Sequence, residues 1–386
     1  MNTSMVATPN SMRVSVPVIA LTFYAVASGY LMSLIPLMLP FYGLDSDLAG
    51  WLASVFYAGL LIGAVAIEPV LSRIGHKNAF IWCLIALIFT VIALPSLPYG
   101  GAWIVSRFIA GLAVAGIFVI VESWLLHGDE HARAKRLGVY MAALYGGTSI
   151  GQFGIGLLGI HGALPFIAIV TVLFIAVLVL LFVRSEQPMH QHTSGISLKS
   201  ITKLNHPALV GCLVSGLTLG AVYGLMPLEL SDKGIEHQHI GSLMALIILG
   251  AMAVQPVIPK LSRVLGSTLL MAAFCLIGAA AATTAMLGSN LLDMSMSLFA
   301  LGVSVFALYP IAINLACKSV NADKIVAVTQ AMLLSYSIGS VIGPILGDAS
   351  MKSQHGLFGY LFAMLMATCI YMLISSAKHR HRAMVG

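Results

Sequence analysis

Along its 386 residues the chain alternates long apolar runs with short polar or glycine-rich breaks. Twelve of the runs are long enough to cross a hydrocarbon core of about 30 Å, which takes about 20 residues of helix. The first six cover 15–38, 49–69, 79–97, 102–126, 137–158 and 164–183. The second six cover 207–230, 240–261, 267–287, 291–316, 325–347 and 356–376. Inside a bilayer no water can satisfy backbone N–H and C=O groups, so each run must close its hydrogen bonds internally, and helix is the expected form. The predicted fold class is an all-α membrane protein of twelve transmembrane helices. Composition agrees, with 59% hydrophobic residues, 8% charged residues and a mean hydropathy of +1.00. Soluble domains carry about 25% charged residues.

Lysine and arginine set the orientation, because they are retained on the cytoplasmic side as helices insert. With the N-terminus inside, sixteen of the nineteen fall in cytoplasmic segments, Lys233 and Lys352 fall outside, and Arg107 lies within a span. Both termini are expected in the cytoplasm. The net charge of +6 is scattered over these loops and forms no basic stripe, so nucleic acid is not an expected partner. The first span exceeds a signal-peptide core and is expected to stay as an anchor. The bacterial inner membrane is the expected location, with the lipid bilayer as surroundings. Cys83, Cys212, Cys275, Cys317 and Cys369 lie singly within spans, which argues for packing and against disulfides or a metal site. The twelve histidines fall in loops, at span ends or in the tail, including "HQH" at 190–192 and 237–239, and read as solvated. No cofactor is expected.

The chain also repeats itself. Residues 35–50, "IPLMLPFYGLDSDLAG", match residues 226–241, "MPLELSDKGIEHQHIG", with five identities at an offset of 191. "LSR" recurs at 71–73 and 261–263, Gly29 matches Gly220, Gly111 matches Gly302, and Gly147 and Gly151 reappear as Gly339 and Gly343. Duplication at half length implies two six-helix bundles related by an axis along the membrane normal, with a substrate site between them. The expected units are 1–183 and 207–386, joined by a polar cytoplasmic linker at 184–206.

The loop after the second span, "EPVLSRIGHK", carries Arg73, Gly75 and Lys77. The fourth span carries "RFIAGLAVA", with Arg107, Gly111 and Ala115. These segments resemble the loop signature G-x-L-a-D-R-x-G-R-R and the helix signature R-x-x-Q-G-x-x-x-A of the major facilitator superfamily. Glu68, Ser72 and Ala110 depart from those patterns, so the contact made by the family's aspartate is not carried over. "VES", "YGLMPL", "LYP" and "QAMLLSYSIGSVIGP" resemble more narrowly the YcaD-type bacterial branch. The resemblance implies the facilitator fold, a secondary transporter and a monomer. It also implies a cytoplasmic gate in which Arg73, Gly75, Lys77, Arg133 and Arg263 take part.

A charge inside a span costs about 2.5–3.5 kcal/mol on insertion scales and calls for a reason. Arg107 and Glu122 share the fourth span, fifteen residues apart. That is about 22 Å of rise but only about 60° of rotation, so they head one stripe with Gly111, Ala115 and Phe118. Their counterparts in the second half are Leu298 and Ile313, which leaves both charges on one side of the repeat. Glu122 is a candidate for carrying a coupling proton; the competing role is an ion pair with Arg73 or Lys77. Arg107 is a candidate counter-ion or anion contact, since its guanidinium offers forked donors. The competing placement reaches out to the interface. Glu68 and Glu229, at span ends, read as solvated or paired with loops. Tyr30, Tyr145, Gln152, Tyr223, Tyr309, Asn314, Gln330 and Tyr336 are candidates for the cargo cavity, or for bonds between helices.

Without a G-x-x-x-x-G-K-S/T segment the chain is expected to use an ion gradient, not nucleotide. An intramembrane enzyme would show a catalytic constellation inside the spans, and none stands out, so no enzymatic activity is expected. A transporter-like receptor is the third class. The expected function is proton-coupled export of a small amphipathic compound by alternating access, with proton-coupled uptake of a carboxylate or sugar as the alternative. The expected partners are a small-molecule substrate and protons.

Overall fold

The computed structural model describes residues 15–125, 130–182, 205–288, 290–318 and 325–385. The first half of the chain contains α1 (Ser15–Met38), α2 (Leu48–Ser96), α3 (Gly100–Leu125), α4 (Glu130–Gln152), α5 (Gly154–Leu158) and α6 (Leu164–Phe182). The second contains α7 (His206–Asp232), α8 (His237–Val254), α9 (Ile258–Leu265), α10 (Ser267–Leu287), α11 (Leu291–Cys317), α12 (Ile325–Met351) and α13 (Gly356–Val385). Among the described residues ten helices are long and apolar enough to cross a membrane. The expected linker lies outside the described residues except for Asn205 and His206, and so does the side chain of Arg133.

Two expected spans, 49–69 and 79–97, run together in α2, whose 49 residues are about twice what one crossing needs. Gly75 breaks it at φ 77 and ψ 166, backbone angles that L side chains rarely adopt. The helix doubles back there, since Leu52 and Leu87 line one cavity. The loop signature is therefore a bend in nearly continuous helix. The expected span at 137–158 is shared by α4 and α5, and that at 240–261 by α8 and α9.

The bend corrects one expectation about histidine. His76 is buried, its ring 6.0 Å from that of Trp124 in α3, because helix persists through the segment read as loop. Glu229 is a second correction. It is buried near the end of α7, where its Oε2 accepts the N–H of Leu357 at 2.9 Å. A carboxylate there satisfies one of the unpaired N–H groups in the first turn of α13 and faces the positive end of that helix.

The sequence repeat is also a repeat of contacts. A Cβ at Gly59 of α2 would run into the carbonyl of Phe108 in α3, and one at Gly250 of α8 would meet the carbonyl of Phe299 in α11, 191 residues on in both members. Gly111 faces Phe56 as Gly302 faces Ile247, and Gly151 faces Val26 as Gly343 faces Leu217. Apolar side chains gain little by leaving lipid for one another, so helices in a bilayer associate by close van der Waals approach. Small residues permit it. The pairs α2–α3 and α1–α4 are thus built like α8–α11 and α7–α12.

Candidate functional site

Among the described residues the two halves meet where α2 packs on α12, where α4 and α5 pack on α8, and where α1 and α2 pack on α7. At one end Asp47, at the start of α2, pairs with Lys352, just past α12, at 2.5 Å. Gly50 lies against Asp348 and Pro344 of α12, Gly156 against the backbone of Gln238, and Gly241 against that of Gln152. Toward the opposite end, where the bend at Gly75 carries Arg73 and Lys77, Glu122 is open to solvent. The space between the halves is a crevice closed at the Asp47–Lys352 end.

Arg107 is fixed by the turns on either side of it. One turn earlier, Trp103 is fully buried and donates its indole N–H to the carbonyl of Leu94 at 2.9 Å. One turn later, Gly111 lies against the Phe56 backbone. The guanidinium is thereby laid over the Phe56 ring, 4.2 Å from the centroid. Its Nε–H is buried without an acceptor, and among the described residues Arg107 makes no ion pair. It turns inward and does not reach for the interface. The hydroxyls of Tyr24 and Tyr57 are within electrostatic reach. All four side chains border a cavity of about 90 Å³, whose other walls include Met32 and Leu52 and, from α7, Tyr223 and Gly224.

Glu122 stands at the other end of the stripe. Trp124 and Val121 beside it are buried, which anchors the end of α3. Its Oε1 accepts the hydroxyl of Tyr140 in α4 at 3.0 Å. Tyr309, from the second half, is within electrostatic reach. No ion pair joins it to Arg73 or Lys77 among the described residues. Arg73 and Arg263 are exposed, and Lys77 donates to the Leu181 carbonyl at 3.3 Å. Between the two charges, Gly111 and Ala115 are packed against α2, and Phe118 meets Tyr24 edge-on at 6.1 Å.

Tyrosines line the space between. Tyr145 of α4 and Tyr223 of α7 both stand edge-on to Phe306 of α11, at 6.0 and 5.7 Å. Tyr309 and Tyr336 lie 5.0 Å apart, and Tyr57 is within electrostatic reach of Tyr336. Four of the cavity residues expected from sequence are thus gathered here. Three others make hydrogen bonds elsewhere in the fold. Tyr30 donates to the Gly159 carbonyl at 2.5 Å, Gln152 is buried and accepts from Ser33 at 2.5 Å, and Asn314 donates to Ser262 at 3.0 Å. Gln330 is half-buried in α12.

The sequence profile of the Major Facilitator Superfamily matches residues 18–344, most of the chain. The chain belongs to the Major Facilitator Superfamily. Among its relatives, an uncharacterised MFS-type transporter named YcaD from Escherichia fergusonii is 32% identical over 368 residues, covering 94% of each chain. Another uncharacterised MFS-type transporter, from Enterobacter sp. strain 638, is 33% identical over 366 residues, covering 93% of this chain and 94% of its own. Among solved structures, a mutant of the nucleoside transporter NupG superposes with a TM-score of 0.78 at 12% identity, over 93% of this chain and 97% of that one. A mutant of the peptide transporter POT, in complex with sulfate, gives 0.72 at 12% identity, over 97% and 96%. Those similarities show the facilitator fold and membrane transport as the family's work.

In this facilitator, sequence reasoning missed Phe56, Tyr24, Tyr57 and Tyr140. At the offset of the repeat, Tyr57 corresponds to Ile248 and Tyr24 to Ser215. A polar ring facing an unlike residue in the other copy, as with Arg107 and Leu298, was the available signal. No group of three or more His, Cys, Asp or Glu side chains placed to hold a metal occurs among the described residues, and all five cysteines are free.

Proposed function

We propose that this facilitator is a proton-coupled secondary transporter of a small amphipathic compound, whose two halves rock about the tyrosine-lined crevice. The observation that carries the reading is the setting of Glu122. It is one carboxylate without an ionic partner among the described residues, exposed, bonded to Tyr140 of its own half and within electrostatic reach of Tyr309 of the other. Rocking the halves changes the solvation of a group so placed, and with it the affinity for a proton. That is the differential affinity a coupled conformational cycle needs.

With basic loops retained inside, the solvent-open end of the crevice is read as cytoplasmic, and both termini with it. Asp47 and Lys352 then close the outer side, so this conformation exchanges cargo with the cytoplasm. Phenol rings and apolar walls suit a compound with an apolar body and a polar head, and export in exchange for protons fits that loading side. Uptake with a proton is favoured by one observation, the unpaired guanidinium of Arg107. The units 1–183 and 207–386 are read as the rocking bodies, acting within one monomer in the bacterial inner membrane.

The test uses the full chain in proteoliposomes loaded with a pH-sensitive dye. Lipophilic cations, carboxylates and sugars are added with the pH gradient in either direction. Glu122→Gln is expected to abolish proton movement driven by the cargo while leaving cargo binding intact. Normal coupling in that variant would overturn the assignment, and the gradient that drives accumulation decides between export and uptake.

A further inference from the structure

We infer that the cavity beneath Arg107 binds an anion, and that its ligand is a short-chain monocarboxylate. This rests on reading the crevice as the transport site, and it names the cargo's class.

The inference starts from an unbalanced charge. A desolvated cation is usually paired, because its transfer from water costs several kcal/mol per ion before pairing repays it. Arg107 has no carboxylate opposite it among the described residues, and Phe56 covers one face of the guanidinium. Cation–π contact offsets part of that cost but fills none of the in-plane N–H donors. The Nε–H is buried without an acceptor, on a residue that borders the cavity. A carboxylate binds such a plane edge-on, with its two oxygens on parallel N–H donors. The site lacks the acceptor that an anionic ligand would bring.

The walls limit what else that ligand carries. Beyond Arg107 and the hydroxyl-bearing Tyr24, Ser28, Tyr57 and Tyr223, the lining is aliphatic or aromatic. No second cationic residue borders the cavity, so a second negative charge would be buried unpaired, which disfavours dicarboxylates. The volume of about 90 Å³ is smaller than the cavity of about 150 Å³ that accepts benzene. A carboxylate with an apolar body of a few carbons fits these limits. Since Tyr223 and Gly224 come from α7 and the rest from α1, α2, α3 and α6, rocking the halves would take away one wall. The ligand would then be released as the halves separate.

The test is thermal stabilisation of the purified full chain in detergent by butyrate, with butyramide, butylammonium and sodium chloride at equal concentration as controls. A ligand of the folded state raises apparent stability by mass action. Butyrate is expected to raise the melting temperature where the three controls do not. Arg107→Gln should lose the shift, corresponding to about tenfold weaker binding or more, and Arg107→Lys should keep part of it. The ligand-free melting temperatures of the Arg107 variants show that they fold.

Equal stabilisation of wild type and Arg107→Gln, stabilisation by butylammonium or butyramide instead, an equal effect of chloride, or no shift with butyrate would each overturn the inference. Failure of the transporter reading looks different. Arg107-dependent butyrate binding without butyrate movement in proteoliposomes keeps this site and removes transport. Glu122-dependent movement of a cation or sugar without butyrate binding does the reverse.

Discussion

Arg107 lies over the ring of Phe56, its guanidinium carbon 4.2 Å from the centroid, and no carboxylate answers it among the described residues. The stacking is worth about 0.5–2 kcal/mol, less than the several kcal/mol that removing a cation from water costs. The pair is therefore a net cost to the fold, of a kind that functional sites tolerate.

Arg107→Met, which keeps the stem over Phe56 and discards the charge, should consequently hold or raise the ligand-free melting temperature. A gain of up to about 2 kcal/mol is in line with replacement of other buried charges by apolar side chains. Thermal unfolding in detergent measures it. A marked loss of stability would mean that Arg107 holds the helices together and is not kept for a ligand.

Tyr140 offers a way to disturb Glu122 without removing it. Its hydroxyl is the only hydrogen-bond partner the carboxylate has among the described residues. Tyr140→Phe should cost about 1 kcal/mol of stability, the usual net worth of one hydrogen bond. If Glu122 carries the proton, the variant should move the pH profile of transport, whereas Glu122→Gln should flatten it. Identical profiles for Tyr140→Phe and wild type would separate the phenol from the proton step.

Gly111 and Gly302 test whether the repeated scaffold serves two ends. Each lets a neighbouring helix approach until a Cβ would strike a backbone carbonyl, that of Phe56 for Gly111 and of Ile247 for Gly302. Gly111→Ala and Gly302→Ala should each destabilise by about 1–3 kcal/mol, the usual cost of overpacking. Only the first moves the backbone that carries Phe56, so only the first should weaken ligand binding at Arg107. Melting temperatures and the butyrate shift, measured on both variants, separate scaffold from site.

The sequence made the membrane class and the doubling legible because both are repetitive signals. Twelve apolar runs and glycines at a fixed offset average over many residues, and Gly29/Gly220 and Gly111/Gly302 make matching helix contacts. The two membrane charges were legible for a different reason, since a charge in an apolar run has few innocent explanations. Azimuth was not legible. Tyr30 and Tyr57 lie in equally apolar runs, yet one is tied to the Gly159 carbonyl and the other borders the cavity. The packing of α1 on α4 and α5 decides which way Tyr30 points, and that of α2 on α3 decides it for Tyr57. Glu229 and His76 escaped because the helices continue past the apolar runs used to place their ends.

The closed end makes the last prediction. Asp47 and Lys352 come from opposite halves of the chain, and both side chains are well exposed. The hydrogen bond and charge of Asp47 hold the Lys352 ammonium protonated above the usual lysine range. When the halves separate at this end the partner is lost and Lys352 returns to its ordinary value. The clamp is therefore whole below the ordinary lysine pKa, and it is lost as pH rises through the raised one. Through this pair, opening is favoured by strongly alkaline pH. Salt should act in the same direction, because an exposed pair is screened as the Debye length falls to about 3 Å near 1 M. Spin labels at Ser46→Cys and Ser353→Cys, in a background without the native cysteines, report the distance between the halves. Lys352→Gln should lengthen or broaden that distance at neutral pH and remove its response to salt. An unchanged distribution would mean that the contacts of Gly50 with Asp348 and Pro344 hold the end shut without help from the ion pair.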